Sequence, residues 1–181
     1  MTSNARILWV IPILVLLHNA EEAFALHFVW GLALRFRWPE VLVAYYRNGL
    51  FDVSNRQATD VGLAIVTAVA FVVVGWSAAR ADDAKRVWVA LLVQAVMFLN
   101  VIPHVFAAVV MRGYSPGLVT AVALNLPFSI WFLKRARRDQ WVSRRAMWML
   151  VPAAIVVHGP LLFLLLKAIA AGSPPPVIWI E

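Results

Sequence analysis

The sequence contains no cysteine among its 181 residues. Disulfide bonds, thiolate metal ligands and cysteine nucleophiles are therefore excluded. Charged residues are also scarce, because they make up 14% of the chain, whereas a soluble domain carries roughly a quarter. Hydrophobic residues account for 63% of the sequence, and the mean hydropathy is +0.81. The chemistry open to this chain is that of histidine, carboxylate and amide side chains in an apolar setting.

Acidic residues are fewer than basic ones, and the formal net charge is +7. A basic chain can bind nucleic acid, but this sequence has no soluble segment that would present a basic face to phosphates. Lysine and arginine instead follow the ends of apolar segments, which is where the positive-inside rule and anionic headgroups favour them. We therefore expect membrane lipids as partners and no nucleic acid.

Long apolar segments recur along the chain and predict one all-α domain, a polytopic membrane bundle of about five transmembrane helices. The predicted spans are residues 7–30, 58–79, 87–111, 116–133 and 146–167. Residues 35–57 mix arginines with aromatic side chains, which is typical of a segment lying at the membrane interface. The first span begins like a signal peptide, but its apolar character continues to Trp30, so we expect a retained helix.

The distribution of basic residues predicts the orientation in the cytoplasmic membrane. The N-terminus and the second and fourth loops carry most of the lysines and arginines, and the strongly basic loop 134–145 decides the bias. The positive-inside rule then places the N-terminus in the cytoplasm.

Three ionisable side chains lie in the interior of the first predicted span, namely His18, Glu21 and Glu22, whereas His27 lies near its end. A charged group at mid-bilayer costs at least about 2.5 to 3.5 kcal/mol on insertion scales, so such residues usually face a partner or a cavity. His18 and Glu22 are separated by four residues and share a helix face, whereas the adjacent Glu21 points 100° away from Glu22. At most one of the two glutamates is therefore expected to contact the same ligand as His18.

The third and fifth predicted spans repeat this pattern. Asn100 and His104 form another pair four residues apart, with Pro103 between them, and His158 precedes Gly159 in the last span. Counted from the start of each span, these side chains and those of the first helix fall within a slab of roughly 9 Å near the midplane. We therefore expect one polar pocket between helices one, three and five.

The residue types in this pocket favour a metal site. Imidazole nitrogens and carboxylate oxygens are the ligand set of zinc and non-haem iron. The predicted metal ligands are His18, Glu22, His104 and His158, and Glu21 and Asn100 are the predicted catalytic or substrate-contacting residues. Asn125 and Gln94 are polar residues in other positions of the spans, and we expect Asn125 to be a helix contact.

Three motifs identify a family resemblance. The segment His18-Asn19-Ala20-Glu21-Glu22, the later His104, and the turn Tyr114-Ser115-Pro116-Gly117 occur in that order. This combination resembles the HXXEE family of prokaryotic membrane proteins, over about residues 6–133. The family has no known function, so the resemblance implies membrane location and the importance of these motifs, and it does not extend to His158.

Several functions fit these residues. The first is a metal-dependent enzyme, for example a hydrolase, that acts on a lipid-like or other hydrophobic small molecule. The second is a metal-free acid–base isomerase or cyclase of isoprenoid or sterol-like substrates, in which a buried glutamate moves the proton. A proton-coupled transporter, with a homodimer supplying its second half, and a purely structural polar network are the remaining alternatives.

Overall fold

The computed structural model describes residues 3–28 and 56–172, and every regular element in these ranges is helical. The predicted all-α bundle is confirmed. The predicted interfacial segment 35–57 lies almost wholly outside the described residues. The helices are α1 Ser3–Leu8, α2 Val10–Phe28, α3 Arg56–Ala78, α4 Ala84–Met111, α5 Leu118–Thr120, α6 Leu126–Arg138, α7 Arg144–Val156 and α8 Leu162–Gly172. Two π-helical turns, π1 Ala121–Asn125 and π2 Val157–Leu161, join α5 to α6 and α7 to α8.

Four stretches among the described residues are long and apolar enough to cross a membrane: Ala5–Leu26, Ala58–Ala78, Ala84–Val110 and Arg144–Gly172. They correspond to four of the five predicted spans, and each differs from its predicted bounds by a few residues. The fifth prediction, 116–133, falls on the helical segment 118–138, which is not among the four. This segment contains the buried polar residues Asn125 and Ser129 and ends in basic residues, so its apolar run is short.

The segment 118–138 nevertheless runs back along α4. Gln94 lies about a third of the way along α4 and donates a hydrogen bond to the hydroxyl of Ser129 at 2.6 Å. Trp88 lies about one and a half turns closer to the start of α4 and donates a hydrogen bond to the backbone oxygen of Ala146 at 2.8 Å. The chain therefore leaves the C-terminal end of α4, returns to its N-terminal end, and begins α7 there. The bundle has this fifth helix even though its composition is less apolar than that of the others.

Capping side chains and turn geometry mark the helix ends near these connections. Asp83 accepts the backbone N–H of Lys85 at 2.8 Å and Ser143 that of Ala146 at 3.2 Å, which satisfies donors at the starts of α4 and α7. The last residue of α4 is followed by Arg112 in the left-handed conformation, with φ 52°. This ends the helix and leads the chain into the 112–117 connection.

The apolar core of the bundle includes aromatic side chains from the helical segment 118–138. Phe132 is fully buried, stacks on Phe128 at 5.3 Å between ring centroids, and meets the edge of Trp141 at 5.4 Å. Many apolar side chains on the outside are exposed, among them Val72 at 71% and Phe106 at 65%. Outward-facing apolar side chains of this kind are what a lipid environment favours. The central helix is α4, which packs against α2, α3, α6 and α7.

Candidate metal centre

Three buried side chains from α2 and α4 converge at one point. His18, Glu22 and His104 each offer a ligand atom, and these atoms lie within 4.8 Å of one another. His18 and Glu22 stand one turn apart on the same face of α2, as their spacing predicts. Three of the four predicted metal ligands are therefore brought together.

The tautomer of His104 follows from its partner. Its Nδ1 lies 2.7 Å from the backbone oxygen of Pro116. A carbonyl oxygen can only accept a hydrogen bond, so Nδ1 carries the proton and donates. In the neutral ring, the lone pair is therefore on Nε2, which is the atom that faces His18 and Asn100.

The same reasoning applies to His18. Its Nδ1 lies 2.9 Å from Oγ1 of Thr120, and that hydroxyl donates its proton to the backbone oxygen of Gly117 at 3.3 Å. Because the proton of Thr120 is engaged, its oxygen accepts from His18 Nδ1, and the lone pair of this second ring is again on Nε2. Both imidazoles are thus held by outer hydrogen bonds, as in many metal sites.

The amide nitrogen of Asn100 is within hydrogen-bond distance of Nε2 of both histidines. This nitrogen lies 2.7 Å from His18 Nε2 and 3.2 Å from His104 Nε2. The two rings are almost perpendicular, with centroids 4.7 Å apart. An amide N–H pair that donates to two imidazole nitrogens occupies the position that a cation bound to both would take.

Glu22 places a carboxyl group beside this position. Its side chain is buried, and none of the described residues forms a hydrogen bond with its carboxyl. Two nitrogens and one carboxylate are a ligand set of the zinc and non-haem iron kind. Ligand atoms around a tetrahedral zinc are about 3.3 Å apart, so the separations between these ligand atoms, which are at most 4.8 Å, would shorten by up to about 1.5 Å to bind one.

Glu21 has a different environment from its neighbour. Its Oε1 accepts the hydroxyl of Tyr114 at 2.7 Å and the backbone N–H of Val119 at 3.0 Å, and its Oε2 accepts the N–H of Thr120 at 2.7 Å. The carboxylate therefore caps the start of the helical segment 118–138, where backbone donors are free and the helix dipole favours a negative charge. The structure places Glu21 at this turn and not with the converging ligand atoms.

Gly117 allows the turn to approach both histidines. Its φ is +78°, and a Cβ atom built on it would lie 2.8 Å from Cε1 of His18 and 2.8 Å from Cε1 of His104. Only glycine fits this position, because any side chain would displace the rings and strain the backbone. The final glycine of the Tyr-Ser-Pro-Gly turn thus contributes directly to the site.

His158 lies apart from the three converging residues. It is half-buried on the π2 turn and is not in the group that could share a metal ion. It is close enough to His104 for an electrostatic interaction between the two rings. The other π-helical turn, π1, begins directly after Thr120. Turns of this kind are frequent at functional sites.

The site lies in the C-terminal half of α4. His104 is seven residues before the end of α4, about 10 Å along its axis, and it contacts the 112–117 connection through Pro116. The roles of Thr120 and Gly117 were not predicted. The turn motif gave a signal for Gly117, whereas nothing in the sequence singles out Thr120.

Asn19, inside the His-x-x-Glu-Glu motif, serves as a contact between two helices. Asn19 donates to the backbone oxygen of Leu63 at 3.1 Å and to Oγ1 of Thr67 at 2.8 Å, which ties α2 to α3. Hydrogen bonds of this type are common between membrane helices. Asn19 therefore has a structural explanation independent of the metal centre.

Comparison with known proteins agrees with this assignment of motifs. No curated protein and no solved structure matches the chain. One family model matches residues 9–132, which include His18, Glu21, Glu22, Asn100, His104 and the 112–117 connection and exclude His158. The match covers more than half of the sequence, and the chain belongs to the family described as proteins of unknown function with an HXXEE motif.

Proposed function

We propose that the protein is a membrane enzyme that binds a divalent metal ion, zinc or iron, through His18, Glu22 and His104. The observation that carries the proposal is the convergence of two imidazole lone pairs on one point, with both Nδ1 atoms occupied by outer hydrogen bonds. A buried carboxylate beside them supplies the charge that a cation needs. The family description leaves this function open.

The chemistry at this site would be hydrolysis or a related reaction on a hydrophobic molecule. A bound divalent metal would act as a Lewis acid and make a coordinated water acidic near neutral pH. Asn100 would turn aside from the two imidazoles and hydrogen-bond the polar group of the substrate. His158 would then be available as a further ligand or a proton carrier, whereas the oxygens of Glu21 are engaged at the helix start.

The setting of the site favours a lipid-like substrate. Exposed apolar side chains surround the bundle, so an apolar molecule could reach the centre laterally from the bilayer. With the N-terminus in the cytoplasm, as the basic loops favour, the site lies near the outer surface of the cytoplasmic membrane, beneath the 112–117 connection.

A metal-free acid–base reaction is the second candidate, and Glu22 favours it. The carboxyl of Glu22 is buried, and none of the described residues forms a hydrogen bond with it. Such an acid could protonate an alkene or move a proton within an isoprenoid or sterol-like molecule. The two candidates use the same pocket and differ in whether a metal is bound.

Elemental analysis of the detergent-purified full-length protein separates them. We expect near-stoichiometric zinc or iron in the wild type, and its loss in His18→Ala, His104→Ala and Glu22→Ala. His27→Ala, a histidine variant on the same helix, should retain the metal, and circular dichroism should show that all variants are folded. A folded wild type without metal would contradict the metal proposal and favour the acid–base reaction, and unfolding of all three site variants would favour a structural network.

A further inference from the structure

A second group of buried polar side chains lies deeper in the bundle, between α4 and the helical segment 118–138. Gln94, Asn125 and Ser129 are exposed by 0%, 1% and 0% of their surfaces. None of them takes part in the metal centre. Asn125 is five residues beyond Thr120, at the far end of the π1 turn, and it is not among the residues that could share the metal ion.

The hydrogen bonds within this group are incomplete. The amide nitrogen of Gln94 donates to the hydroxyl of Ser129 at 2.6 Å. The amide oxygen of Gln94 and both the oxygen and the nitrogen of Asn125 have no partner among the described residues. A buried polar group without a partner costs about 1 to 3 kcal/mol in proteins, and water is not freely available inside a bilayer.

The local geometry brings the unpaired atoms to one face. Asn125 and Ser129 are four residues apart and stand one turn above the other. The preceding π1 turn, Ala121–Asn125, ends at Asn125, and the α-helical register resumes with Leu126. Since Gln94 already reaches Ser129 from α4, the unpaired atoms border the same interface between the two helices.

The donor and acceptor pattern limits what could bind there. Two unpaired carbonyl oxygens require hydrogen-bond donors, and the unpaired NH₂ group of Asn125, which has two N–H donors, requires acceptors. A carboxylate or phosphate would be repelled by the two oxygens, and a metal cation would lack an anionic ligand among these three side chains. An uncharged hydroxyl group both donates and accepts.

We propose that Gln94, Asn125 and Ser129 form a binding site for a hydroxyl group within the bundle. The hydroxyl belongs either to a water molecule or to an alcohol with an apolar body. Internal waters commonly satisfy otherwise unpaired polar groups of this kind. This proposal does not require a metal at His18 and His104, so it is tested separately from the proposed enzyme activity.

The direct test is magnetisation transfer in solid-state NMR of the wild-type full-length protein in lipid vesicles, with asparagine side chains labelled with ¹⁵N. The signal of Asn125 is assigned by its loss in Asn125→Leu. We expect transfer from water to the Asn125 amide, or transfer from 1-dodecanol when that alcohol is added, and the two results identify the source of the hydroxyl. Absence of transfer from both overturns the proposal.

The direction in which the melting temperature changes in a variant gives an independent test. Asn125→Leu, a substitution of similar size, should lower the melting temperature by about 3 °C or more if a bound hydroxyl satisfies the amide. If the amide is unpaired, the apolar leucine should raise the melting temperature instead, which overturns the proposal. Asn19→Leu is the matched control, because the partners of Asn19 are protein atoms and its replacement must be destabilising. Gln94→Met repeats the test from the other helix.

Discussion

Glu21 and Thr120, 99 positions apart in the chain, are joined by a hydrogen bond of 2.7 Å from the backbone N–H of Thr120 to Glu21 Oε2. The hydroxyl of Thr120 in turn lies 2.9 Å from Nδ1 of His18. The first glutamate of the motif thus fixes the residue that orients the histidine, whereas Glu22 faces the imidazoles directly. The two adjacent glutamates have different tasks.

The hydroxyl of Thr120 should therefore control metal affinity. Thr120→Val removes the acceptor for His18 Nδ1–H at nearly constant volume, and loss of such an outer partner typically costs 10- to 100-fold in affinity. We expect this loss in a competition titration with a zinc chelator, and Thr120→Ser should restore most of the affinity. Equal affinities of the valine and wild-type proteins would contradict the role assigned to Thr120.

Glu21→Ala should weaken the helix start without removing a metal ligand. By analogy with helix-capping residues, its loss should lower the free energy of unfolding by about 0.5 to 2 kcal/mol, and metal affinity should fall through Thr120. Glu22→Ala should instead abolish binding. Denaturant or thermal unfolding measures the change in stability, and the chelator titration measures the change in metal affinity of the same variants. Complete loss of metal in a stable Glu21→Ala protein would place Glu21 among the ligands.

Gly117→Ala should disrupt the centre because its new methyl group would overlap both imidazole rings. The backbone strain alone should cost about 1 to 2 kcal/mol, since φ is positive there. Gly159→Ala is the matched control, because a Cβ at that position has no atom within 4 Å. Both variants are compared by metal content and melting temperature. A Gly117→Ala protein with full metal content would contradict the described approach of the turn.

The hydrogen bond between Tyr114 and Glu21 predicts that the free energy of unfolding depends on pH, and Tyr114 itself lies outside the membrane spans. Burial and the adjacent carboxylate raise the pKa of Tyr114 above its ordinary value of 10.0. The folded protein therefore favours the protonated phenol, and its contribution to stability is present below pH 10 and lost as the pH rises through the folded pKa. Thermal unfolding between pH 8 and 12 should show a smaller decline in Tyr114→Phe than in the wild type. Parallel declines would contradict this interaction.

The sequence predicted much of the fold because its signals are local. Apolar runs long enough to cross a bilayer identify four spans, and a spacing of four residues places His18 with Glu22 and Asn100 with His104 on single helix faces. The span predicted over 116–133 is not among these four, because polar residues interrupt the apolar pattern of the segment 118–138. These features depend on residues near each other in the chain.

The parts that could not be predicted depend on packing between distant residues. Counting along each helix placed His158 in the same slab of roughly 9 Å as His104, but depth does not give the rotation of a helix about its axis, and His158 is outside the converging group. Thr120 has no recognisable spacing to His18, since 102 positions separate them. Only the fold reveals that the turn ending in Gly117 lies against both histidines.

The most direct test of the central claim is X-ray absorption spectroscopy at the edge of the metal bound to the purified wild-type protein. Our account predicts nitrogen and oxygen scatterers with the multiple-scattering pattern of two imidazoles, and one imidazole fewer in any metal retained by His104→Ala. Metal coordinated without imidazole, or a spectrum unchanged in His104→Ala, would contradict the assignment of His18, Glu22 and His104 as the metal centre.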